Sequence, residues 1–572
     1  MRHQAPFLAA ALLLFPGPFC LAQRIEVTVP ATRPLTGHLI LVIARKNQPE
    51  PRFQLSEDYL SAQGFGVDVE NLKPGTPIVV NAKTFGNPRR SLRDLDEGDY
   101  YVQAVFNVYE PFHLQSGRTL WLPPDKGEGQ QWNLKPGNPY DRPQKIHFDP
   151  RSRQTVRLTL DRTIPPLAGT DEDPEFLARQ SPANEWLKYI RFRSPALSRF
   201  WGRDIYLGAW ILLPPGFAAH PSAHFPLVVY QDHFHPGFGP VPFATSPPSD
   251  PKAPDYGPRM YGYKLFQDWT SGRLPRVIMV YVQDATPYYD DSYDVNSANV
   301  GPYGTAINRE LLPAIEKQYR AIPDGWAHAT FGGSTGGWEA VATQVFYPDD
   351  YNGAWIACPD PVDFHAYQNV NLYADTNAFE RSGDFATIAT AGDRRPDGTI
   401  IADMRAEYGY EYVLGTHGRS TEQWEIWQAV FSPVGPDGYP AQVIDPMTGA
   451  IDNKVVAYWH EHYDLAAILQ RDWPTLGPKL EGKLHFAAGD GDTYFLNNAV
   501  HLLQQQLAAT RNPHSDATFQ YGPGMPHCYT GGPVEYTMHE NNATWVQRVL
   551  PEMVKHMLAT APKGADTASW QY

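Results

Sequence analysis

The run Ala327-His328-Ala329-Thr330-Phe331-Gly332-Gly333-Ser334-Thr335-Gly336-Gly337-Trp338 decides the fold. Residues 327–331 read as a short buried strand, and from about residue 338 to 346 the pattern is helical. Between them a serine stands among glycines. On a sharp strand-to-helix bend, neighbouring Cβ atoms would collide, so glycine is needed on both sides. Such a bend lifts the hydroxyl above the strand ends and sets it at a helix N-terminus, whose positive end favours a developing oxyanion. Ser334 is therefore a candidate nucleophile. The competing reading is a glycine-rich turn with an incidental serine.

Outward from this bend, short apolar runs at 206–213, 227–230, 277–282 and 484–488 alternate with helical stretches. Ile307, Leu311, Ile315 and Tyr319 recur at a spacing of four and predict one helix over 303–320. Short apolar strands interleaved with helices predict an α/β domain, a mostly parallel sheet covered on both faces, over residues 186–560. Within it, 361–463 is rich in Trp, Tyr and Gly and reads as an insertion above the sheet, with a hairpin at Pro436-Asp437-Gly438. Upstream, 24–165 alternates polar and apolar residues between turn clusters and predicts a small all-β sandwich. The acidic, proline-containing segment 166–185 reads as a linker.

A serine hydroxyl needs a base, and the base an orienting acid. On this architecture the chain order is nucleophile, acid, histidine. Leu484-His485-Phe486-Ala487-Ala488 runs into Gly489-Asp490-Gly491-Asp492-Thr493, where two carboxylates compete. A glycine at the strand end with an acid three residues on favours Asp492, with Asp490 the alternative. Phe519-Gln520-Tyr521 reads as the last strand, and the loop after it ends in His527. His514 precedes that strand and His501 falls in a helical stretch, so His527 is the candidate base.

An oxyanion hole needs two backbone N–H donors. One is expected from Thr335, the other from the loop after 227–230, at His233 or Phe234. That loop holds a His-x-His pair, His233 and His235, and a second pair is His460 and His462. Such pairs can bind zinc, but neither has a clear third ligand beside it, so no metal or cofactor is expected. Cys358 and Cys528 both fall at the carboxyl edge of the sheet. A bridge between them and two buried thiols are equally open readings.

Arg2, the apolar run 7–15 and the small residues at Cys20-Leu21-Ala22 read as a cleavable export signal over 1–22, giving a secreted or periplasmic protein. The run is too short for a bilayer, which needs roughly 20 residues. With 47 Lys and Arg against 62 Asp and Glu, the formal charge of −15 and the lack of a basic run argue against nucleic acid and anionic membrane as partners. Pro and Gly are abundant, at 55 and 46 residues, yet aromatics reach 13%, so ordered loops rather than disorder are expected. Nothing in the sequence indicates the oligomeric state.

The run Asn308-Arg309-Glu310-Leu311-Leu312-Pro313-Ala314-Ile315-Glu316-Lys317-Gln318-Tyr319-Arg320, followed by Phe331-Gly332-Gly333-Ser334-Thr335-Gly336-Gly337, resembles the esterase D-like branch of the α/β-hydrolases. That branch includes feruloyl esterases, enterochelin esterases and S-formylglutathione hydrolase. The resemblance covers roughly residues 186–560 and implies an α/β-hydrolase fold with a triad at Ser334, Asp492 and His527. Two departures stand out: Gly333 precedes the serine, and Asp232-His233 replaces the family's glycine-containing oxyanion loop. The expected activity is that of a secreted serine esterase on a small-molecule or glycan-linked ester, acylated carbohydrate or phenolic. An acyltransferase, a siderophore esterase and a non-catalytic glycan-binding protein are the alternatives.

Overall fold

The computed structural model describes residues 23–166, 185–235, 239, 241–533 and 540–572. The expected export signal and all but the ends of the expected linker lie outside the described residues.

The N-terminal region is the expected β-sandwich. Arg24–Thr28 lies between Thr155–Thr159 and Ile78–Val80 in a three-stranded sheet. A seven-stranded sheet centred on Leu35–Ala44, Gly98–Val108 and Gln63–Leu72 faces it. Ile25, Val27, Leu39, Leu41, Phe65, Val102 and Phe106 fill the space between. The alternate residues Ile40, Val42 and Val105 point the other way and are buried too, against Tyr410 and Leu414 of the insertion. That is why Leu39-Ile40-Leu41-Val42-Ile43 is apolar throughout rather than alternating. The hairpin Glu110–His113 and Thr119–Leu122 departs from the sandwich: its Phe112, Leu120 and Leu122 belong to the core of the α/β domain.

The α/β domain is built on eight strands: β1 (Leu187–Arg193), β2 (Tyr206–Leu212), β3 (Leu227–Gln231), β4 (Ile278–Gln283), β5 (His328–Gly333), β6 (Ala354–Ala357), β7 (Leu484–Gly489) and β8 (Thr518–Gly522). They are ordered β1-β2-β4-β3-β5-β6-β7-β8. From β4 to β8 all neighbours are parallel, while β1 and β2 form an antiparallel edge. With helices on both faces, this is the α/β-hydrolase fold. Edge strand β1 was not expected from the sequence; its residues are only half-buried and lack a clean alternation. The expected helix over 303–320 is continuous but not uniform. It opens as Tyr303–Ala306, widens to a π-turn at Ile307–Leu311 and ends as Leu312–Tyr319, with Pro313 removing an N–H just past the wide turn.

The insertion is more regular than its composition suggested. It carries helices Met404–Leu414, Gln423–Phe431 and Asn453–His462 and two small hairpins, Glu380–Ser382 with Thr387–Ala389 and Ala391–Arg394 with Ile400–Asp403. The expected hairpin at Pro436-Asp437-Gly438 reduces to a turn closed by one bridge, Val434 to Pro440. No helix among the described residues is long and apolar enough to cross a membrane.

Candidate active site

Ser334 sits at φ 58°, ψ −123°, between β5 and the helix Thr335–Phe346. A non-glycine residue with positive φ is strained and is held only when its surroundings leave no alternative. The surroundings here are tight. A Cβ at Gly332 would meet the Gly336 carbonyl at 2.3 Å, and one at Gly336 would meet the Gln231 carbonyl at 2.0 Å. Gly333 is different, because the nearest atom to its virtual Cβ is the Cys358 sulfur at 3.8 Å, so this departure from the family pattern is sterically neutral.

The side chains read from sequence as nucleophile, acid and base meet at the carboxyl end of the sheet. His527 Nε2 lies 2.8 Å from Ser334 Oγ, and His527 Nδ1 lies 2.8 Å from Asp492 Oδ2. Asp492 is fully buried in the turn after β7, where its Oδ1 accepts the N–H groups of Tyr494 (3.0 Å) and Leu496 (3.2 Å). The alternative acid, Asp490, points to solvent and faces His501 at 3.6 Å. Burial disfavours the imidazolium of His527, but Cys528 and Asp492 beside it favour the charge, and its pKa ends well above the usual histidine value. Thr335 is the first residue of its helix, so its N–H belongs to the set that a helix leaves without an internal partner.

Of the two donors expected for the other half of the oxyanion hole, His233 or Phe234, the first is already engaged. The His233 N–H donates to the Asp232 carboxylate at 2.8 Å. The carboxylate that engages it belongs to the preceding residue of the same loop. Burial pushes Asp232 up to about 6, against the lowering effect of His233 and Tyr230. The His233 ring is held by Asp290 and Asp291, each at 3.2 Å. One His233 ring nitrogen and one oxygen from each of these acids lie within 4.8 Å of one another, neighbours that the sequence did not show.

Asp360 was not singled out in the sequence, yet it reaches the nucleophile. It follows β6 and is buried, with Oδ1 at 3.5 Å from Ser334 Oγ. Its Oδ2 accepts bonds from Tyr293 Oη (2.5 Å), Thr335 Oγ1 (3.0 Å), Gln423 Nε2 (3.2 Å) and Trp427 Nε1 (3.3 Å). Asp360 thereby ties the insertion helix Gln423–Phe431 to the nucleophile turn. A signal was available, since an acid just past a strand end lies on the edge where open α/β sheets bind ligands. Cys358, also past β6, and Cys528 are both thiols, not a bridge, and their sulfurs lie within 4.8 Å of each other and of a His527 ring nitrogen.

Above Ser334 is a cavity of about 440 Å³. Trp424, Trp427, Tyr289 and Tyr494 supply aromatic walls, and Glu57, Asp232, Asp360 and Glu422 supply carboxyls; no Lys or Arg among the described residues lines it. Glu57 comes from the β-sandwich region and accepts the Tyr494 hydroxyl at 3.4 Å. Burial and then Glu57 push Glu422 up to about 8.

Residues 207–433 match the family model described as "Putative esterase". The matched segment contains Ser334 and Asp360 and ends before Asp492 and His527. No curated protein matches the chain. Among solved structures, a ferulic acid esterase is similar at 14% identity over 65% of this chain and 100% of its own, with a TM-score of 0.36. An S-formylglutathione hydrolase from Agrobacterium tumefaciens is similar at 12% identity over 65% and 94%, with a TM-score of 0.32. A ferulic acid esterase from the anaerobic fungus Anaeromyces mucronatus is similar at 12% over 66% and 96%, with a TM-score of 0.27.

Proposed function

We propose that this chain, a carboxylic ester hydrolase by its esterase-family segment, works through an acyl-enzyme on Ser334. The observation that carries the proposal is the pair of 2.8 Å contacts linking Ser334, His527 and Asp492 beneath the cavity. His527 takes the Ser334 proton as Oγ attacks the ester carbonyl and returns it to the leaving alcohol. Water then repeats the sequence on the acyl-enzyme. Asp492 fixes the tautomer and stabilises the imidazolium. The Thr335 N–H meets the oxyanion, and the His233 N–H joins it once the Asp232 carboxylate has turned away.

The lining supports an uncharged, hydroxyl-bearing substrate, an acylated carbohydrate or phenolic ester. Indole and phenol faces cover sugar or aromatic rings, and carboxyl groups exchange hydrogen bonds with hydroxyls. Four carboxyl groups line the cavity with no Lys or Arg among the described residues to pair with a free acid. Export of the chain through its N-terminal segment belongs to the same proposal. N-terminal sequencing of protein recovered outside the cytoplasm should begin at Gln23.

The test is turnover of p-nitrophenyl acetate by wild type and Ser334→Ala. The variant should lose about 10⁴- to 10⁶-fold in kcat, and equal rates would end the serine mechanism. A panel of methyl ferulate, acetylated xylan and a siderophore ester then ranks substrates.

A further inference from the structure

Beneath the β3 end lies a second group of acids that the ester chemistry does not use. Asp284 follows β4, Asp294 lies ten residues further along the same loop, and Glu339 is on the helix that starts after Ser334. They are 5%, 2% and 2% exposed, and one carboxylate oxygen from each lies within 4.8 Å of the other two. Their partners among the described residues do not balance three charges. Asp284 Oδ2 accepts the Ser292 N–H at 2.8 Å and the Ser292 hydroxyl, and Asp294 Oδ2 accepts the Gln231 amide at 2.6 Å. Glu339 Oε1 is buried with no hydrogen-bond partner among the described residues. No Lys or Arg among the described residues pairs with any of the three.

An isolated carboxylate in a protein interior is among the costliest groups to bury, and burial is tolerated when the charge is paired or binds a metal. Burial pushes all three up, Asp284 to about 6 with Asp290 adding to the shift, while Asp284 raises Asp294 and both of them raise Glu339. The limit of 4.8 Å between these oxygens equals the span of two ligands on opposite sides of one Ca²⁺ with bonds of about 2.4 Å, so a small inward shift of the carboxylates brings all three onto one ion. An all-oxygen, all-carboxylate donor set selects a hard cation over zinc or copper. Mg²⁺ requires shorter bonds, about 2.1 Å, and usually keeps several waters, a poor match to a site this enclosed.

We propose that Asp284, Asp294 and Glu339 bind one structural Ca²⁺ ion that ties the loop after β4 to the helix behind Ser334. Gln231, bonded to Asp294, is the last residue of β3, and the next two residues are Asp232 and His233. The β4 loop also carries Asp290 and Asp291, which hold the His233 ring. The ion therefore braces the oxyanion side of the pocket from below, outside the substrate's reach.

The full-length protein is purified without added metal, its metal content is measured, and its thermal unfolding is followed with Ca²⁺, Mg²⁺ or EGTA. About one Ca²⁺ per chain is expected. EGTA should lower Tm by several degrees, and Ca²⁺ in excess should restore it. Glu339→Gln and Asp294→Asn should remove that response. Should the variants fail to fold, terbium luminescence on the chelated wild type reads the same site: Tb³⁺ should bind at one per chain and be displaced by Ca²⁺. A wild type with no bound metal and one Tm in Ca²⁺ and EGTA overturns the proposal, because the carboxyls then share protons instead. Stabilisation by Mg²⁺ but not Ca²⁺ also overturns it, as does an undiminished Ca²⁺ response in both variants. None of these readouts depends on ester hydrolysis.

Discussion

The pocket has two walls of different origin. One is made by the turns after β5 and β7 and the loop after β8, which bring Ser334, Asp492 and His527 to a single edge. Each of those side chains is placed by its own turn: a strained φ at Ser334 and two backbone N–H bonds at Asp492. The other wall comes from far away in the chain, from Glu57 of the sandwich region and Glu422, Gln423, Trp424 and Trp427 of the insertion. Two of them, Gln423 and Trp427, bond to Asp360 from one insertion helix, and Glu57 accepts the Tyr494 hydroxyl. The first wall carries the chemistry that any ester needs, and the second meets whatever particular ester arrives. Changes on the first wall should therefore appear in kcat, and changes on the second mainly in KM.

That division can be broken from either side. After Ser334→Ala, the largest loss is expected for Asp492→Asn, about 10⁴-fold in kcat, because the amide stabilises the wrong histidine tautomer. Asp490→Asn should leave kcat within about twofold; a reversal of the two results would reassign the acid. Trp427→Ala removes an indole from the wall and a donor from Asp360. It should lower kcat/KM on a bulky ester by roughly 10- to 100-fold while changing p-nitrophenyl acetate turnover much less. An equal loss on both would place Trp427 with the chemical wall. In the pH profile of kcat/KM, His527 must be neutral to accept the Ser334 proton. Its raised pKa puts the acid limb above about 6.5. Activity should fall as pH drops through that value, and Asp492→Asn should move the limb to lower pH. The smallest effect is expected for Glu57→Gln, a few-fold change in KM at constant kcat; a large kcat change would erase the distinction.

How much was legible in the sequence follows the same division. Ser334, Asp492 and His527 each sit in a turn whose glycines and prolines mark it, so spacing and chain order located them. Asp492 separated from Asp490 because a turn after a strand presents alternate residues to inside and outside. Asp360 is preceded by Cys358-Pro359, with no glycine pattern to mark it, and its importance comes from donors 67 and 63 residues away. Glu57 is farther still, reaching Tyr494 across 437 positions, and no local periodicity encodes such a contact. The sequence marks the loop that carries the His233 N–H, but its engagement by Asp232 depends on a rotamer that only the fold decides. Charge pattern in the sequence hid the Asp284, Asp294 and Glu339 group as well, since each acid alone looks like an ordinary loop or helix residue.

The hairpin Glu110–His113 and Thr119–Leu122 bears on how such a chain can evolve. Its Phe112, Leu120 and Leu122 are buried in the core of the following domain, while the insertion covers the outer face of Leu35–Ala44. A carbohydrate-binding module attached by a tether can be lost, duplicated or traded between genes without harm to its enzyme. This front module cannot. Recombination that replaced it would open a hole in the catalytic core and remove Glu57 from the pocket in one event, so its history should be a single lineage shared with the hydrolase rather than a record of exchange.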